Sequence, residues 1–365
     1  MSHAAAGMNR NAKEGDDIVV AVTDIRRAYF YAKPAVDTFV ELPDYFDAAT
    51  RRTSCGRLLR CLYGTRPAAR AWQRELEHGI EKANLKVGKM SKCAFTSECG
   101  TLAGTMHGDD VLMAGPRRVV SAVQGVLRDR YETREQLMSG RAGDPKELII
   151  LNRRVQWTDE GLRLAPDDRH LKDLVDELGL ANAKHVDTPV PVTHRDMDGE
   201  ELETLGAAES TLYRRLAAKL NYLSMDRPDI RFAASVIWSS AASPRVGDMV
   251  RLKRVVRFMT GHPVMWTYFR WGLVWREIQA FTDSDWASSR EDRRSMSGGM
   301  LVHNGSLLRF WSRKQKAISL SSWESELYAG VTAGVEAIGL QSGLADLGCE
   351  RSAVLLSGNQ STRSG

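Results

Sequence analysis

The chain has 365 residues, of which 43% are hydrophobic and 27% charged, so it can bury at least one full core and has the length of two or three domains. Its 51 Lys and Arg against 46 Asp and Glu give a formal charge of +5, a mild basic excess that is compatible with a polyanionic partner without identifying one. The sequence has no apolar run of the ~18 residues that a membrane span needs, no secretory h-region and no zinc-ligand spacing among its five Cys, so secretion, membrane insertion and a structural zinc site are not expected.

The chain is predicted to begin with a disordered tail followed by a buried strand. Residues 1–16 are small and polar, as in many disordered tails. Residues 17–24 form a β-branched run ending in an acid, which predicts a buried strand with Asp24 at its end. Residues 68–85 have the apolar spacing of a helix.

The next predicted element is a hairpin with an acidic tip. Within residues 101–115, two apolar strands flank the polar turn formed by residues 107–110, with the sequence HGDD. A helix is predicted after Pro116, because the following apolar residues recur at intervals of three and four. If the hairpin pairs beside the first strand, Asp24, Asp109 and Asp110 meet.

Three such carboxylates can hold two divalent metal ions. Mg²⁺, or Mn²⁺ in its place, prefers oxygen ligands, and two-metal sites catalyse in-line phosphoryl displacement. Carboxylates this close together need a cation to remain ionised. The alternative is an ordinary turn, because Gly and Asp are common in turns for purely local reasons.

The middle of the chain is predicted to be a connector followed by helices. Residues 181–210 are rich in Asp, Glu, Thr, Pro and Gly and form the connector. Helices follow from Leu212 to about Thr260. Residues 251–276 contain six Lys or Arg, no acids and several aromatics, a pattern that fits either nucleic-acid contact or a solvated basic helix face leading into core strands. The sequence leaves both interpretations open.

From Ile278 onward the pattern changes to strand, strand, strand, helix and strand, which predicts a separate α/β domain. The predicted strands cover residues 278–282, 299–303 and 307–311. The helix covers about 322–347 and the last strand 353–356.

Several segments, in the expected order, resemble the reverse transcriptase of copia-type long-terminal-repeat retrotransposons. They are residues 23–32 (TDIRRAYFYA, like motif A), 39–43 (FVELP), 59–72 (LRCLYGTRPAARAW), 107–110 (HGDD), 213–223 (YRRLAAKLNYL) and 227–233 (RPDIRFA). The resemblance implies that Asp24, Asp109 and Asp110 are the metal ligands and that Tyr29 screens the sugar 2′ position of an incoming nucleotide.

Two of the residues matched to the family have an alternative interpretation, and a third departs from the family's pattern. Tyr29 can instead be a core aromatic. Arg66 matches a Lys of the family and is read either as a template-phosphate contact or as a solvated surface residue. His107 stands where the common hairpin has Tyr, a position that the resemblance places at the primer terminus.

The C-terminal segments resemble the ribonuclease H domain of the same elements. They are residues 281–287 (FTDSDWA), 293–299 (RRSMSGG) and 319–329 (SLSSWESELYA). The resemblance implies that Asp283 and Glu324 are metal ligands, while Glu326, roughly 200° further around the helix, is expected to be solvated. Gly358 stands where the family has Asp, so an inactive ribonuclease H site is expected.

The predicted fold class is therefore a multidomain α+β and α/β chain: a reverse-transcriptase palm of antiparallel sheet and helices, a helical connection and a ribonuclease H-like α/β domain. The predicted boundaries are 1–16 for the tail, 17–200 for the palm and its connector, 201–276 for the thumb or connection and 277–365 for the last domain. The resemblance also implies a truncated chain, because the family's fingers and final catalytic acid have no counterpart here.

The predicted activity is RNA-directed DNA polymerisation with Mg²⁺ or Mn²⁺. The expected partners are an RNA template, a DNA primer or RNA/DNA hybrid, and deoxynucleoside triphosphates. The alternative is a catalytically silent nucleic-acid-binding remnant, and a ribonuclease acting alone is disfavoured by Gly358. An intracellular location, cytoplasmic or nuclear, is expected, while the oligomeric state is not readable from the sequence.

Overall fold

The computed structural model describes residues 17–191, 199–272, 277–289, 292–349 and 353–357. Two predictions, the disordered tail at 1–16 and the missing carboxylate at Gly358, lie outside the described residues. The described chain divides into two compact units. The first contains residues 17–148 and 341–349, and the second contains residues 149–340 and 353–357.

The first unit is built on short antiparallel strands and three helices within its described residues. The strands are β1 (Ile18–Ile25), β2 (Phe39–Val40), β3 (Gly56–Arg57), β4 (Leu85–Val87), β5 (Ala94–Ser97), β6 (Ala103–His107), β7 (Asp110–Pro116) and β8 (Thr133–Ser139). The helices are α1 (Ala48–Thr53), α2 (Ala68–Lys82) and α3 (Arg117–Arg128). A six-stranded sheet has the order β4-β5-β6-β7-β1-β8, and β2 pairs with β3 in a separate ribbon.

Strand β1 lies between β7 and β8 in this sheet and is buried on both faces. Its β-branched sequence IVVAVTDI suits a strand covered on both sides. Helix α2 packs Trp72, Leu76 and Ile80 into the core, at the four-residue spacing that keeps side chains on one helix face. Helix α3 contributes Val120 and Val123 to the same core.

Residues from 147 onward form two four-stranded sheets and the remaining helices of the described chain. The strands are β9 (Glu147–Ile150), β10 (Arg153–Thr158), β11 (Gly161–Ala165), β12 (Thr267–Arg270), β13 (Glu277–Asp285), β14 (Met296–His303), β15 (Ser306–Lys314) and β16 (Ala353–Ser357). The helices are α4 (Arg169–Glu177), α5 (Ala207–Leu223), α6 (Arg231–Ser239), α7 (Val246–Gly261) and α8 (Ser322–Asp346). The strand orders are β12-β11-β10-β9 and β15-β14-β13-β16, and β16 runs parallel to β13.

A helical core in the second unit is formed by α4, α5, α6 and α7. The Tyr213 hydroxyl donates to the Ile237 carbonyl at 2.7 Å, which ties α5 to α6. The buried Arg227 guanidinium donates to the Asp229 carboxylate and to the carbonyls of His262 and Pro263. Because an unpaired buried charge is costly, these bonds make Arg227 an internal anchor of the helical core.

The structure confirms several elements that the sequence predicts and corrects others. The first strand, the helix that begins at Ala68, the hairpin, the helix after Pro116 and the C-terminal strand-strand-strand-helix-strand order are confirmed. The connector was predicted too long, because α5 already begins at Ala207. Strands β8 to β11 and helix α4 were not predicted. The fold is mixed α/β with antiparallel sheets.

Among the residues described here, no helix is both long and apolar enough to cross a bilayer.

Candidate active sites

Strand pairing brings the three predicted aspartates of the first cluster to one end of the sheet. Strand β7 pairs antiparallel with β1, and in this register Asp110 lies opposite Asp24. The Ile25 backbone N–H donates to the Asp109 carbonyl at 2.9 Å, so Asp109 also lies beside the end of β1. The predicted pairing of hairpin and strand is therefore confirmed.

A two-residue turn, Gly108 and Asp109, closes the hairpin between the paired residues His107 and Asp110. Gly108 has φ +63°, which a side chain rarely tolerates, and nothing lies within 4 Å of the place where a Cβ would stand. A glycine with positive φ at the first turn position is typical of a type II′ hairpin turn. Glycine is thus required at position 108 because of the positive φ, although a side chain would have room there.

A hydrogen bond from the Trp72 side chain fixes the tip of the hairpin. The Trp72 indole Nε1 donates to the Gly108 carbonyl at 2.7 Å, and the Trp72 side chain is 2% exposed. Its ring packs edge-on against Tyr131, with ring centroids 5.5 Å apart. Sequence reasoning placed Trp72 in a family segment and missed this contact, which joins residues 36 positions apart in the chain.

The charges in the cluster act on Asp110. Burial raises the pKa of the Asp110 carboxyl above its usual range, the charges of Asp109 and Asp24 raise it further, and His107 opposes the rise. Mutual repulsion of this kind is relieved by a divalent cation. Carboxylate oxygens are also the donors that Mg²⁺ prefers, so the donor set fits such an ion.

The three carboxylates do not form a closed metal shell as their side chains are oriented here. In the part of the chain that the structure describes, no three His, Cys, Asp or Glu side chains are grouped closely enough to hold a metal ion. The backbone thus aligns the three residues, while the side chains do not converge on one point.

The other predicted residues of this site occupy different environments. Tyr29 is partly buried, packs on the core and stacks on Tyr63 of the family-like segment 59–72, with ring centroids 4.3 Å apart. His107 and Arg66 are exposed. Partial burial against the core leaves both interpretations of Tyr29 open, and exposure leaves both interpretations of Arg66 open.

The second acidic cluster contains Asp283 and Glu326. Glu326 is 4% exposed, and its Oε1 accepts from the Ser284 backbone N–H at 3.2 Å. Burial raises the pKa of the Glu326 carboxyl, the Ser284 hydrogen bond opposes the rise, and the nearby charge of Asp283 adds to it. The expectation that Glu326 is solvated is therefore wrong.

Glu324 has a different role at the start of α8. Its carboxylate accepts from the Leu320 backbone N–H at 2.7 Å, and its own backbone N–H donates to the Ser321 hydroxyl at 3.1 Å. Such bonds satisfy backbone donors at a helix N-terminus, where a carboxylate is also favoured by the helix dipole. Of the two glutamates, the structure places Glu326 beside Asp283 and uses Glu324 as a cap.

The Oε2 atom of Glu326 is buried and has no hydrogen-bond partner within the described residues. A buried carboxylate oxygen without a donor is costly, and a metal ion is one group that satisfies it. A signal for Glu326 was present in the sequence. Ala329, Ala333 and Ala337, all fully buried, repeat every four residues and mark the inward face of α8, and Glu326 precedes Ala329 by three positions.

Residues 251–276, which the sequence left open between nucleic-acid contact and a solvated helix face, divide into two parts. In α7, Arg254 donates to the Thr188 hydroxyl and Arg257 to the Lys184 carbonyl, so these cations serve internal contacts. Phe258 and Phe269 are buried. The strand part carries Trp266 and Tyr268 on the surface of a sheet, while Trp275 and Arg276 lie outside the described residues.

Comparison with models of protein families finds no match. Comparison with curated proteins finds the retrovirus-related Pol polyprotein from transposon TNT 1-94 of Nicotiana tabacum, 22% identical over 340 residues that cover 91% of this chain and 25% of the relative. The retrovirus-related Pol polyprotein from transposon RE1 of Arabidopsis thaliana is 25% identical over 334 residues, covering 89% of this chain and 22% of the relative. The chain thus spans about a quarter of the length of these relatives.

Among solved structures, a foamy viral protease-reverse transcriptase in complex with double-stranded DNA is 11% identical and covers 93% of this chain and 51% of that chain, with a TM-score of 0.25. That score is too low to show a shared overall arrangement. The sequence relatives, each matched over about nine tenths of this chain, are retrovirus-related Pol polyproteins of plant transposons. Over that length the chain is similar to a segment of these polyproteins.

Proposed function

We propose that the chain is the reverse-transcriptase and ribonuclease H segment of a copia-type retrotransposon polyprotein, and that its first acidic cluster catalyses RNA-directed DNA synthesis. The observation that carries the proposal is the register of β1 and β7, which sets Asp24 opposite Asp110 with Asp109 at the adjoining turn. Carboxylates at a strand end and a hairpin tip are the donor set of two-metal phosphoryl transfer.

In this proposal the residues of the first unit bind and orient the reactants. Asp24, Asp109 and Asp110 hold the metal ions, and Trp72 holds the hairpin that carries two of them. Bound Mg²⁺ or Mn²⁺ supplies activation of the attacking oxygen and stabilisation of the leaving oxygen. The exposed Arg66 is proposed to contact template phosphate.

Two further residues are proposed to contact the substrates. Tyr29, held by its stack on Tyr63, screens the sugar of an incoming deoxynucleoside triphosphate. His107 faces the primer terminus from the hairpin. The partners are an RNA template and a DNA primer or RNA/DNA hybrid.

The fold-level part of the proposal assigns residues 17–200 to a palm with its connector, 201–276 to a helical thumb or connection, and 277–365 to a ribonuclease H-like domain. The order β15-β14-β13-β16, with β16 parallel to β13 and α8 between β15 and β16 in the chain, supports the last assignment. The antiparallel sheet around β1 supports the first.

For the second cluster we propose Asp283 and Glu326, in place of Glu324, as the acidic pair. The buried position of Glu326 beside Asp283 supports this change. Gly358 supplies no carboxylate, so this site is proposed to be inactive as a ribonuclease.

A second candidate function is a catalytically silent nucleic-acid-binding remnant. It is favoured by the orientation of the carboxylates, which form no group of three metal-binding side chains among the described residues. The two candidates differ in whether the chain incorporates nucleotides.

Primer extension on an RNA template with Mg²⁺ tests the proposal. Extension by the wild-type chain that is lost in the Asp109→Asn, Asp110→Asn variant is the expected result. Asp129→Asn is the matched control, because Asp129 is an exposed aspartate at the end of α3. Absence of extension from the folded wild-type chain supports the silent remnant.

A further inference from the structure

One face of the sheet formed by β10, β11 and β12 carries three arginines and two aromatic residues. In the antiparallel register, Gln156 lies opposite Arg163, and Arg163 lies opposite Tyr268. Residues two positions apart on a strand share a face, so Arg154 and Arg270 lie on this same face. Trp266, which directly precedes β12, lies there too because its ring contacts Arg163. The other face packs into the core through Val155, Leu162 and Phe269. The arginine face is therefore the outer surface of the sheet.

Two guanidinium groups converge on one indole ring. The Arg163 guanidinium carbon lies 4.1 Å from the Trp266 ring centroid, and that of Arg154 lies 5.4 Å from it. Arg163 also donates through Nε to the Gln156 side-chain oxygen at 2.8 Å. Stacking on Trp and a single bond through Nε leave the outer N–H groups of Arg163 available for an anion.

This positive charge is only weakly balanced by the protein. Among the described residues, Arg154 forms an ion pair with Asp168 at 3.9 Å, and the Asp168 side chain is 71% exposed. Such exposed pairs contribute little. Two acids, Asp159 and Glu160, lie beyond the last pair of the β10–β11 ladder, in the turn.

Exposed residues extend the face along β12. Tyr268 is 45% exposed, and Arg270 next to it on the strand face is exposed as well. An open aromatic ring between cations is the arrangement with which proteins hold single-stranded nucleic acid, since the cations bind phosphates and a base stacks on the ring. The planar guanidinium also binds phosphate in two-pronged fashion.

We infer that this sheet face is a docking surface for a single strand of nucleic acid, with backbone phosphates on Arg154, Arg163 and Arg270 and a base against Tyr268. The inference deepens the proposed function by naming a surface of the second unit that binds a template or primer strand, and it rests on that function for the identity of the strand. A solvated surface is the competing reading.

Binding of a fluorescein-labelled DNA or RNA strand of about 20 nucleotides, longer than the roughly 4–16 covered by one single-strand module, tests the inference. Fluorescence anisotropy is measured with the full chain in EDTA at several KCl concentrations. The test variant is Arg154→Gln, Arg163→Gln, Arg270→Gln. The charge-matched control is Arg51→Gln, Arg57→Gln, Arg128→Gln, whose arginines pair with Asp44, Asp37 and Glu135.

The expected result is a loss of affinity of at least about tenfold in the test variant, with a salt slope smaller by about two, since each phosphate contact with a single strand contributes roughly 0.7. The control keeps its slope and binds within about twofold of wild type. Equal effects in the two triple variants would overturn the inference.

A second variant keeps the inference testable if the triple variant does not fold. Tyr268→Ala removes an exposed ring and is expected to weaken binding at least about fivefold, because stacking of one base is worth about 1–3 kcal/mol. Unchanged affinity of folded Tyr268→Ala, with no ultraviolet cross-link between strand and β12, also overturns it. Strand binding is measured in EDTA and therefore does not depend on metal chemistry. If the chain binds the strand but shows no primer extension in the separate Mg²⁺ assay, only the polymerase proposal is refuted.

Discussion

At the tip of the β6–β7 hairpin, single atoms decide where the carboxylates of the first cluster lie. The positive φ of Gly108 turns the chain, and the Trp72 indole N–H fixes the carbonyl of that same glycine. Asp109 and Asp110 follow at once in the chain. The backbone positions of two proposed metal ligands therefore depend on one hydrogen bond from a buried ring.

Replacement of Trp72 by Phe removes that N–H and keeps an aromatic ring in the core. We expect the variant to lose at least about 1 kcal/mol of unfolding free energy, because the hydrogen bond is lost and the smaller ring leaves core volume unfilled. We also expect it to bind Mn²⁺ severalfold more weakly, because the hairpin tip is free to move. Electron paramagnetic resonance measures free Mn²⁺ in a Glu326→Gln background, which removes the second cluster as a site.

The matched control is Trp271→Phe, which loses an indole N–H bond to the Thr158 carbonyl at 3.0 Å, far along the chain from the hairpin. It is expected to cost less stability than Trp72→Phe, because Trp271 is only partly buried, and to leave Mn²⁺ affinity unchanged. If both variants bind Mn²⁺ like wild type, Trp72 has only a packing role.

The Asp110 carboxyl gives a pH-dependent prediction for the metal-free chain. Its pKa is raised in the folded state, so the folded chain binds more protons than the unfolded chain between the usual pKa of Asp and the raised value, and the stability contribution falls as pH rises through that window. Asp110→Asn is therefore expected to raise the free energy of unfolding at pH 7.

This gain is expected to vanish as pH falls below the usual Asp value of about 3.9, where Asp110 is protonated in both states. Urea denaturation in EDTA at several pH values measures it, with Asp129→Asn as the control. Destabilisation by Asp110→Asn at neutral pH would show that its charge is stabilised in the fold.

At the scale of elements, the sequence predicts the first site better than the second. Asp24 follows from a β-branched run that ends in an acid, and Asp109 and Asp110 follow from a glycine turn between apolar strands. Each pattern is local. The bond from Trp72 to Gly108 is not local, so helical spacing reveals that Trp72 faces the core but not what it touches.

The second site required knowledge of how α8 is rotated on its sheet. Glu324 and Glu326 differ by roughly 200° around the helix, so only one of them can face Asp283. The resemblance favoured Glu324, whereas the packing of the small alanine face decides for Glu326. Strands β8 to β11 were missed for a different reason, because several of them alternate only weakly between apolar and polar residues.

Opposite stability effects are expected from the two glutamates of α8. Glu326→Gln is expected to raise the free energy of unfolding of the metal-free chain at pH 7, because burial and Asp283 raise the pKa of the carboxyl and its charged form is disfavoured. Glu324→Gln is expected to lower it by about 0.5–1 kcal/mol, since it weakens the cap and the favourable dipole interaction.

Chemical denaturation of the two variants in EDTA measures both effects, and each serves as the control for the other. A fall in stability for Glu326→Gln together with no change for Glu324→Gln would return the functional assignment to Glu324.

At the scale of the whole molecule, the chain combines two acidic clusters with a basic, aromatic sheet face. The first cluster lies in the unit built around β1, and the second cluster and the sheet face lie in the unit that contains β10 to β15. This combination fits a polyprotein segment that handles nucleic acid. The chain spans about a quarter of the length of its curated relatives. Nucleotide incorporation by such polyproteins can depend on their other segments.

Metal binding at the first cluster can be measured in this chain without nucleotide incorporation. The measurement is Mn²⁺ binding by electron paramagnetic resonance, with all proteins carrying Glu326→Gln. Three proteins are compared: the otherwise unchanged chain, the double variant with Asp24→Asn and Asp110→Asn, and the control Asp129→Asn. If Asp24, Asp109 and Asp110 hold the metal, the double variant loses at least about tenfold in affinity, about 1.4 kcal/mol, and the control loses none. Equal affinity in all three proteins would contradict a metal site at the end of β1.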